Sequence, residues 1–154
     1  MQAYDQDLFA ALHKARDAVL DLYRPVLDAH DLTEPQWRAL LTLDTVGPVD
    51  ATRLAELAAL QPSSLSRIIR AFEARRLVAT NRNAEDGRRL LLRLTPTGKA
   101  LLARAQPRMQ DVDRQLATLF GGTEVTLLRQ ALDALHVVLS TQTPPARKLR
   151  RKAR

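Results

Sequence analysis

The sequence predicts a mainly α-helical chain that carries one β-hairpin, on three observations. Apolar residues recur at steps of three and four over most of its length, the helical period. Two strand-like stretches, "LVATNRN" and "RLLLRLT", flank "AEDG", in which Asp86-Gly87 is a strong hairpin signal. Immediately before that hairpin, two short amphipathic segments are separated by a turn of three or four residues, Leu60 to Pro62.

The elements follow in order. From about Asp5 to Ala29, Leu8, Leu12, Ala15, Val19, Tyr23 and Val26 form the stripe of a long helix that Pro25 should kink or break near its end. "LTEPQWRALLTLDTVG" predicts a second helix: Thr33 caps it, Pro35 lies in its first turn, Trp37, Leu40 and Leu41 face inward, and Gly47 stops it. "DATRLAELAALQ" predicts a short third helix capped near Asp50, with Leu54, Leu57 and Ala58 inward. In "PSSLSRIIRAFEARR" the stripe is Leu65, Ile68, Ile69 and Phe72, with Pro62 as first-turn proline and Ser63 as capping hydroxyl. After the hairpin a helix runs from Pro96 to about Phe120 with a bend at Pro107, and Gly121-Gly122 break it. Thr123, followed by Glu124, starts a last helix through Leu127, Leu128, Ala131, Leu135, Val138 and Leu139. "TQTPPARKLRRKAR" has no periodic pattern and is expected to be disordered.

Composition narrows the function. With 154 residues the chain suits one domain, or a domain with an added oligomerisation element. Aromatic residues make up only 4%, a poor basis for stacking single-stranded bases. There is no cysteine, hence no disulfide, thiol switch or thiolate zinc site, and His13, His30 and His136 are not at ligand spacing. Neither metal nor cofactor is expected. A nucleophile elbow, a glycine-rich phosphate loop and framed paired carboxylates are all missing, so no enzyme is expected. The start, "MQAYDQDLFAALHKARD", lacks a signal-peptide pattern and no apolar run approaches ~18 residues, so a cytoplasmic protein without a membrane span is expected.

Net charge is +7, and it is segregated: residues 1–60 carry −5, 61–93 carry +5, 94–145 carry +1 and 146–154 carry +6. Arginine supplies 20 of the 24 positive residues, which suits forked contacts to phosphate and guanine. A basic block within an otherwise mixed chain points to a polyanion. Alone, the face of Ser63, Ser64, Ser66, Arg67 and Arg70 is as well explained by simple solvation. As the second helix of a helix-turn-helix, followed by a hairpin wing, it points to double-stranded DNA.

The predicted fold is therefore a winged helix-turn-helix with a two-stranded wing. Residues 32–95 form the DNA-binding domain, 5–31 and 96–141 a helical dimerisation region, and 142–154 a basic tail. The outer helices hold more apolar stripe than the small domain can cover, and a homodimer would suit an inverted-repeat operator.

At this point the sequence resembles the MarR family of regulators over about residues 5 to 140. "EDGRRLLLRLTPTGKALL" is similar to the family's Asp-x-Arg hairpin and Leu-Thr-x-x-Gly, matched by Asp86, Arg88, Leu94, Thr95 and Gly98. "SSLSRIIRAFEARRLV" resembles its recognition helix, with Ser66-Arg67 as the Ser/Thr-Arg pair and Phe72-Glu73 and Leu77-Val78 at the end. Arg76 stands where a glycine is usual, which leaves open whether that helix ends in a left-handed cap. "YRPVLDAHDLTEPQWRALLTL" is similar to the subgroup that controls homoprotocatechuate (4-hydroxyphenylacetate) degradation. The resemblance implies a repressor released by a small aromatic carboxylate. A regulator of stress or efflux, and a non-specific architectural nucleic-acid-binding protein, are the alternatives.

Individual residues carry competing readings. Asp86 and Gly87 shape the wing turn, with Arg88 or Arg89 reaching a groove, against a purely structural Asp86–Arg88 pair. Arg82 meets phosphate or nothing. For the effector, the resemblance places Trp37 and Arg38 on a pocket-lining helix, and His13 and Arg16, one turn apart on the first helix, are candidates to point into the same space. Trp37 reads first as core, since it shares a face with Leu40 and Leu41, and the other three read also as surface side chains or interface ion pairs.

Overall fold

Local capping sets where the helices begin. In the computed structural model, which describes residues 7–82 and 90–142, Asp7 caps α1 (Leu8–Asp28) by accepting from the Phe9 amide. Thr33 opens α2 (Glu34–Val46) with a reciprocal capping box, the Gln36 side chain accepting from the Thr33 amide at 2.9 Å. Asp50 accepts from the Arg53 amide at 2.9 Å and starts α3 (Ala51–Leu57). The start of α4 (Pro62–Ala74) differs from expectation. Gln61 holds the cap position without a side-chain bond, and Ser63 lies inside the first turn instead of capping it. Pro62 at the first position presets the backbone and has no N–H to satisfy.

Three helix ends use left-handed residues that are not glycine: Asp31 at φ 51°, Ala59 at φ 49° and Arg76 at φ 55°. Each anchors the same pair of bonds. After α4, the Arg76 amide returns to the Glu73 carbonyl at 3.0 Å and the Leu77 amide to the Phe72 carbonyl at 2.8 Å. Helix α4 thus ends in a left-handed cap, formed on an arginine where a glycine is usual. The buried Leu77–Phe72 end holds a conformation that costs a side-chain-bearing residue about 1–2 kcal/mol.

Strands β1 (Val78–Arg82) and β2 (Leu90–Leu94) pair antiparallel, Val78 opposite Leu94 and Arg82 opposite Leu90. Val49 adds an unanticipated rung by exchanging two backbone bonds with Leu92, at 3.1 and 2.9 Å. The wing thereby gains a third backbone on the α2–α3 connection. The turn expected at Asp86-Gly87 lies outside the described residues, as does the tail from 143 onward.

Helices α5 (Pro96–Phe120) and α6 (Gly122–Gln142) complete the described residues. Neither internal proline ends a helix: α1 continues through Pro25 to Asp28, and α5 through Pro107. The expected two-glycine break narrows to Gly121, at φ 105°, and α6 begins at Gly122, so Thr123 sits within its first turn.

The core joins α2, α3, α4 and both strands through Leu40, Leu54, Leu65, Phe72, Leu77 and Leu92, with Leu27, Leu32, Leu101, Leu102 and Met109 in the same cluster. Two residues expected inside are not. Leu41 is 38% exposed and Leu57 40% exposed, because the buried stripes run through Ala39, Leu40 and Leu43 on α2 and through Leu54, Ala55 and Ala58 around α3. A neighbouring residue on a helix points ~100° away from the stripe centre. The chain divides into two compact units with the boundary after Val112. In the second, α6 leaves Leu127, Leu128, Leu132, Leu135, Val138 and Leu139 exposed. Among the described residues no helix is long and apolar enough to cross a membrane.

Candidate nucleic-acid interface

The fold turns one face of α4 outward. Leu65, Ile68 and Phe72 are buried, which leaves Ser63, Ser64, Ser66, Arg67 and Arg70 exposed on the opposite side. Ser66 Oγ donates to the Pro62 carbonyl at 3.0 Å. Its proton is engaged, so its remaining lone pairs present an acceptor to whatever approaches.

Charge pairing separates this face from the preceding chain. Every arginine between residues 7 and 60 has a carboxylate: Arg16 with Asp17 at 3.1 Å, Arg24 with Asp21 at 2.8 Å, Arg38 with Glu34 at 3.0 Å and Arg53 with Glu56 at 3.1 Å. Asp21 hydrogen-bonds Arg24 and so raises its pKa. Among the described residues the side chains of Arg67, Arg70 and Arg82 make no ion pair or hydrogen bond. The one acid on α4, Glu73, faces the wing and accepts from Thr80 Oγ1 at 2.8 Å. Two guanidiniums thus stand unneutralised beside three hydroxyls, ready for phosphate oxygens or guanine edges. Arg82 is exposed at the far end of β1. Asp86, Gly87, Arg88 and Arg89 fall outside the described residues.

Behind the face, the Leu94-Thr95-x-x-Gly98 segment is structural. Thr95 Oγ1 donates to the Arg76 carbonyl at 2.6 Å and accepts from the Gly98 amide at 3.1 Å, which ties the end of α4 to the start of α5. A Cβ on Gly98 would meet the Leu77 carbonyl oxygen, so only glycine lets the two backbones approach this closely.

The proposed effector residues divide. Arg38 Nε and Arg16 converge on one carboxylate, Glu34, at 3.0 and 3.9 Å. The Arg38 NH1 group also reaches the Ala59 carbonyl at 3.5 Å. Neither Arg38 Nε nor Glu34 Oε2 makes a well-aligned hydrogen bond, although both atoms are buried. Arg16 and Glu34 line a cleft of about 260 Å³ with Leu20, Arg24, Leu27, Leu32 and Pro35, whereas Arg38 and Trp37 are not part of its lining and Arg38 meets it only through Glu34. Trp37 is half-buried and packs against the core cluster. His13 is not brought to this cleft: it meets the Phe9 ring edge-to-face at 4.5 Å. Sequence reasoning missed Glu34, although a glutamate four residues before Arg38 on one helix was a readable signal.

A basic recognition helix, second in a helix-turn-helix and braced by a hairpin wing, defines a winged helix-turn-helix DNA-binding protein. The MarR family model matches residues 30–89. The homoprotocatechuate degradative operon repressor of Escherichia coli is 33% identical over 126 residues, covering 82% of this chain and 85% of that protein. The chain belongs to the MarR family. NadR in complex with 4-hydroxyphenylacetate superposes with a TM-score of 0.79 at 25% identity, over 89% of this chain and 100% of that one. The transcriptional repressor CouR, bound to a 23-mer DNA duplex, gives a TM-score of 0.71 at 28% identity, over 89% and 92% of the two chains.

Proposed function

We propose that this chain is a cytoplasmic, homodimeric transcriptional repressor and not an enzyme. It binds an inverted-repeat operator at an aromatic-compound catabolic operon and leaves it when a small aromatic carboxylate binds. The observation that carries the DNA-binding part is the unpaired arginine and hydroxyl face of α4. Residues 32–95 supply the DNA-binding domain, and Ser63, Ser64, Ser66, Arg67, Arg70, Arg82, Arg88 and Arg89 are its contacts. Residues 5–31 and 96–141 supply the dimerisation region, and exposed Leu8, Phe9 and Leu12 on α1 and the leucines of α6 support that assignment. The basic tail, 142–154, adds non-specific attraction to DNA.

The effector reading rests on Arg38, Arg16 and Glu34, with Trp37 and His13 at its margins. The three charged side chains together carry one net positive charge. Glu34 sits one turn before Arg38 on the same helix, a tether that denies Arg38 the coplanar forked contact a free carboxylate can make. An aromatic acid that displaces Glu34 gains that contact and places its ring against Leu20, Leu27 and Leu32. A hundredfold loss of DNA affinity requires ~2.7 kcal/mol of preference for the non-binding state.

The test is titration of operator-bound protein with 4-hydroxyphenylacetate and homoprotocatechuate. Wild type should release its DNA; Arg38→Ala should bind DNA and fail to respond. Glu34→Gln should respond at lower acid concentration, because the internal competitor is gone. Equal release from wild type and Arg38→Ala would remove Arg38 as the anchor, and no release of wild type by either acid would sink the effector reading.

A further inference from the structure

Arg75 belongs to the basic block, yet its guanidinium turns away from the exposed face of α4. NH1 donates to the Asp31 carbonyl at 2.6 Å and NH2 to the His30 carbonyl at 2.9 Å. Those carbonyls lie in the turn that ends α1, where helix carbonyls lose their own partners and the helix dipole favours a cation. Asp31 is the left-handed residue of that turn, at φ 51°, which fixes the direction its carbonyl points. Leu27 and Leu32 hold the same junction in the core, but apolar contact has no preferred direction. A planar fork with two bonds has one.

We propose that Arg75 is a positioning residue: it locks the end of α1 onto the end of the recognition helix and so sets which half-site spacing the dimer accepts. This inference rests on the dimeric repressor reading. The leverage is large, because α1 has 21 residues. At 1.5 Å per residue it is ~31 Å long, and a rotation of about 5° at the junction moves its far end by roughly 3 Å. One base pair inserted between half-sites displaces them by about 3.4 Å and turns one against the other by about 35°, so the junction has both a distance and an angle to hold.

The experiment compares full-length wild type, Arg75→Ala and Arg75→Lys on a duplex selected from a random pool by wild type. The same duplex with one base pair inserted or removed between half-sites completes the set, and each is measured over a range of salt. Wild type should lose about tenfold or more on the altered spacings. Arg75→Ala should bind the selected duplex about three- to tenfold more weakly and show a spacing penalty below about threefold. Its salt slope and its base preference within each half-site should match wild type. Arg75→Lys keeps the charge without the fork and should show an intermediate penalty, and it decides the matter if Arg75→Ala does not fold. A parallel loss on all duplexes with a flatter salt slope would make Arg75 a phosphate contact and overturn the proposal. Spacing penalties unchanged from wild type would overturn it too. A wild type that selects no duplex would sink the repressor reading and this inference together, an outcome distinct from a selective wild type whose variants keep its penalty.

Discussion

Replacing Arg70 by alanine isolates the electrostatic part of DNA binding. Arg70 is exposed on α4 and its side chain has no hydrogen bond or ion pair among the described residues, so truncating it breaks no polar side-chain contact among them. Thermal stability should change by no more than about 0.5 kcal/mol. In a dimer the substitution occurs twice. Taking the cation away from one phosphate flattens the slope of log K against log salt by about 0.9, so doing so at two phosphates lowers it by about 1.8. Between about 50 and 200 mM salt, a fourfold range, the affinity of the variant should then fall roughly twelvefold less than that of wild type. Fluorescence anisotropy on a selected operator at four or more salt concentrations measures this directly. Arg24→Ala is the control, because Arg24 is paired with Asp21 on α1 and should leave the slope alone. A slope unchanged by Arg70→Ala would remove Arg70 from the phosphate backbone. An affinity loss with the wild-type slope would assign it to a base edge instead.

Other substitutions probe the supports of this face. Arg76→Gly relieves a left-handed residue at φ 55° and should stabilise the protein by up to about 1 kcal/mol, raising Tm by about 2–4 °C; a fall in Tm would mean the arginine side chain contributes a contact of its own. Gly98→Ala drives a Cβ into the Leu77 carbonyl and should cost about 1–3 kcal/mol in urea unfolding, whereas wild-type stability would show that the α4–α5 junction yields easily. Thr95→Val deletes the hydroxyl that donates to Arg76 and accepts from Gly98 and should cost about 1–2 kcal/mol by the same assay, with no loss disproving its bracing role.

What was legible in the sequence is local. Thr33 and Asp50 cap their helices as expected, because a cap is decided within four residues of chain. The stripe Leu65, Ile68 and Phe72 is buried because strong 3.6-residue periodicity leaves one choice of inward face. Where leucines are adjacent or crowded, as at Leu40-Leu41, periodicity allows two faces and tertiary packing chooses, which is why Leu41 and Leu57 lie outside the core that their spacing predicts. The left-handed cap at Arg76 opposes residue preference and depends on burial of Leu77 against the core. Arg75 bonds carbonyls 44 and 45 residues earlier, and no local pattern announces such an interaction. For the site, the basic face of α4 was readable from composition and order. The capture of Arg38 by Glu34 was readable from their spacing, while the approach of Arg16 to the same carboxylate is a matter of how α1 crosses α2.

The central claim is that the arginine face of α4 reads sequence, and Arg67 tests it most directly. Binding of wild type and Arg67→Ala is measured on a selected operator, on operators altered at single positions, and on a random duplex at one fixed salt concentration. If Arg67 grips a guanine edge, Arg67→Ala should lose about 1–3 kcal/mol on the operator, lose its preference at one position in each half-site, and keep most of its affinity for the random duplex. Equal weakening on operator and random duplex, with every positional preference intact, would contradict base reading by this face.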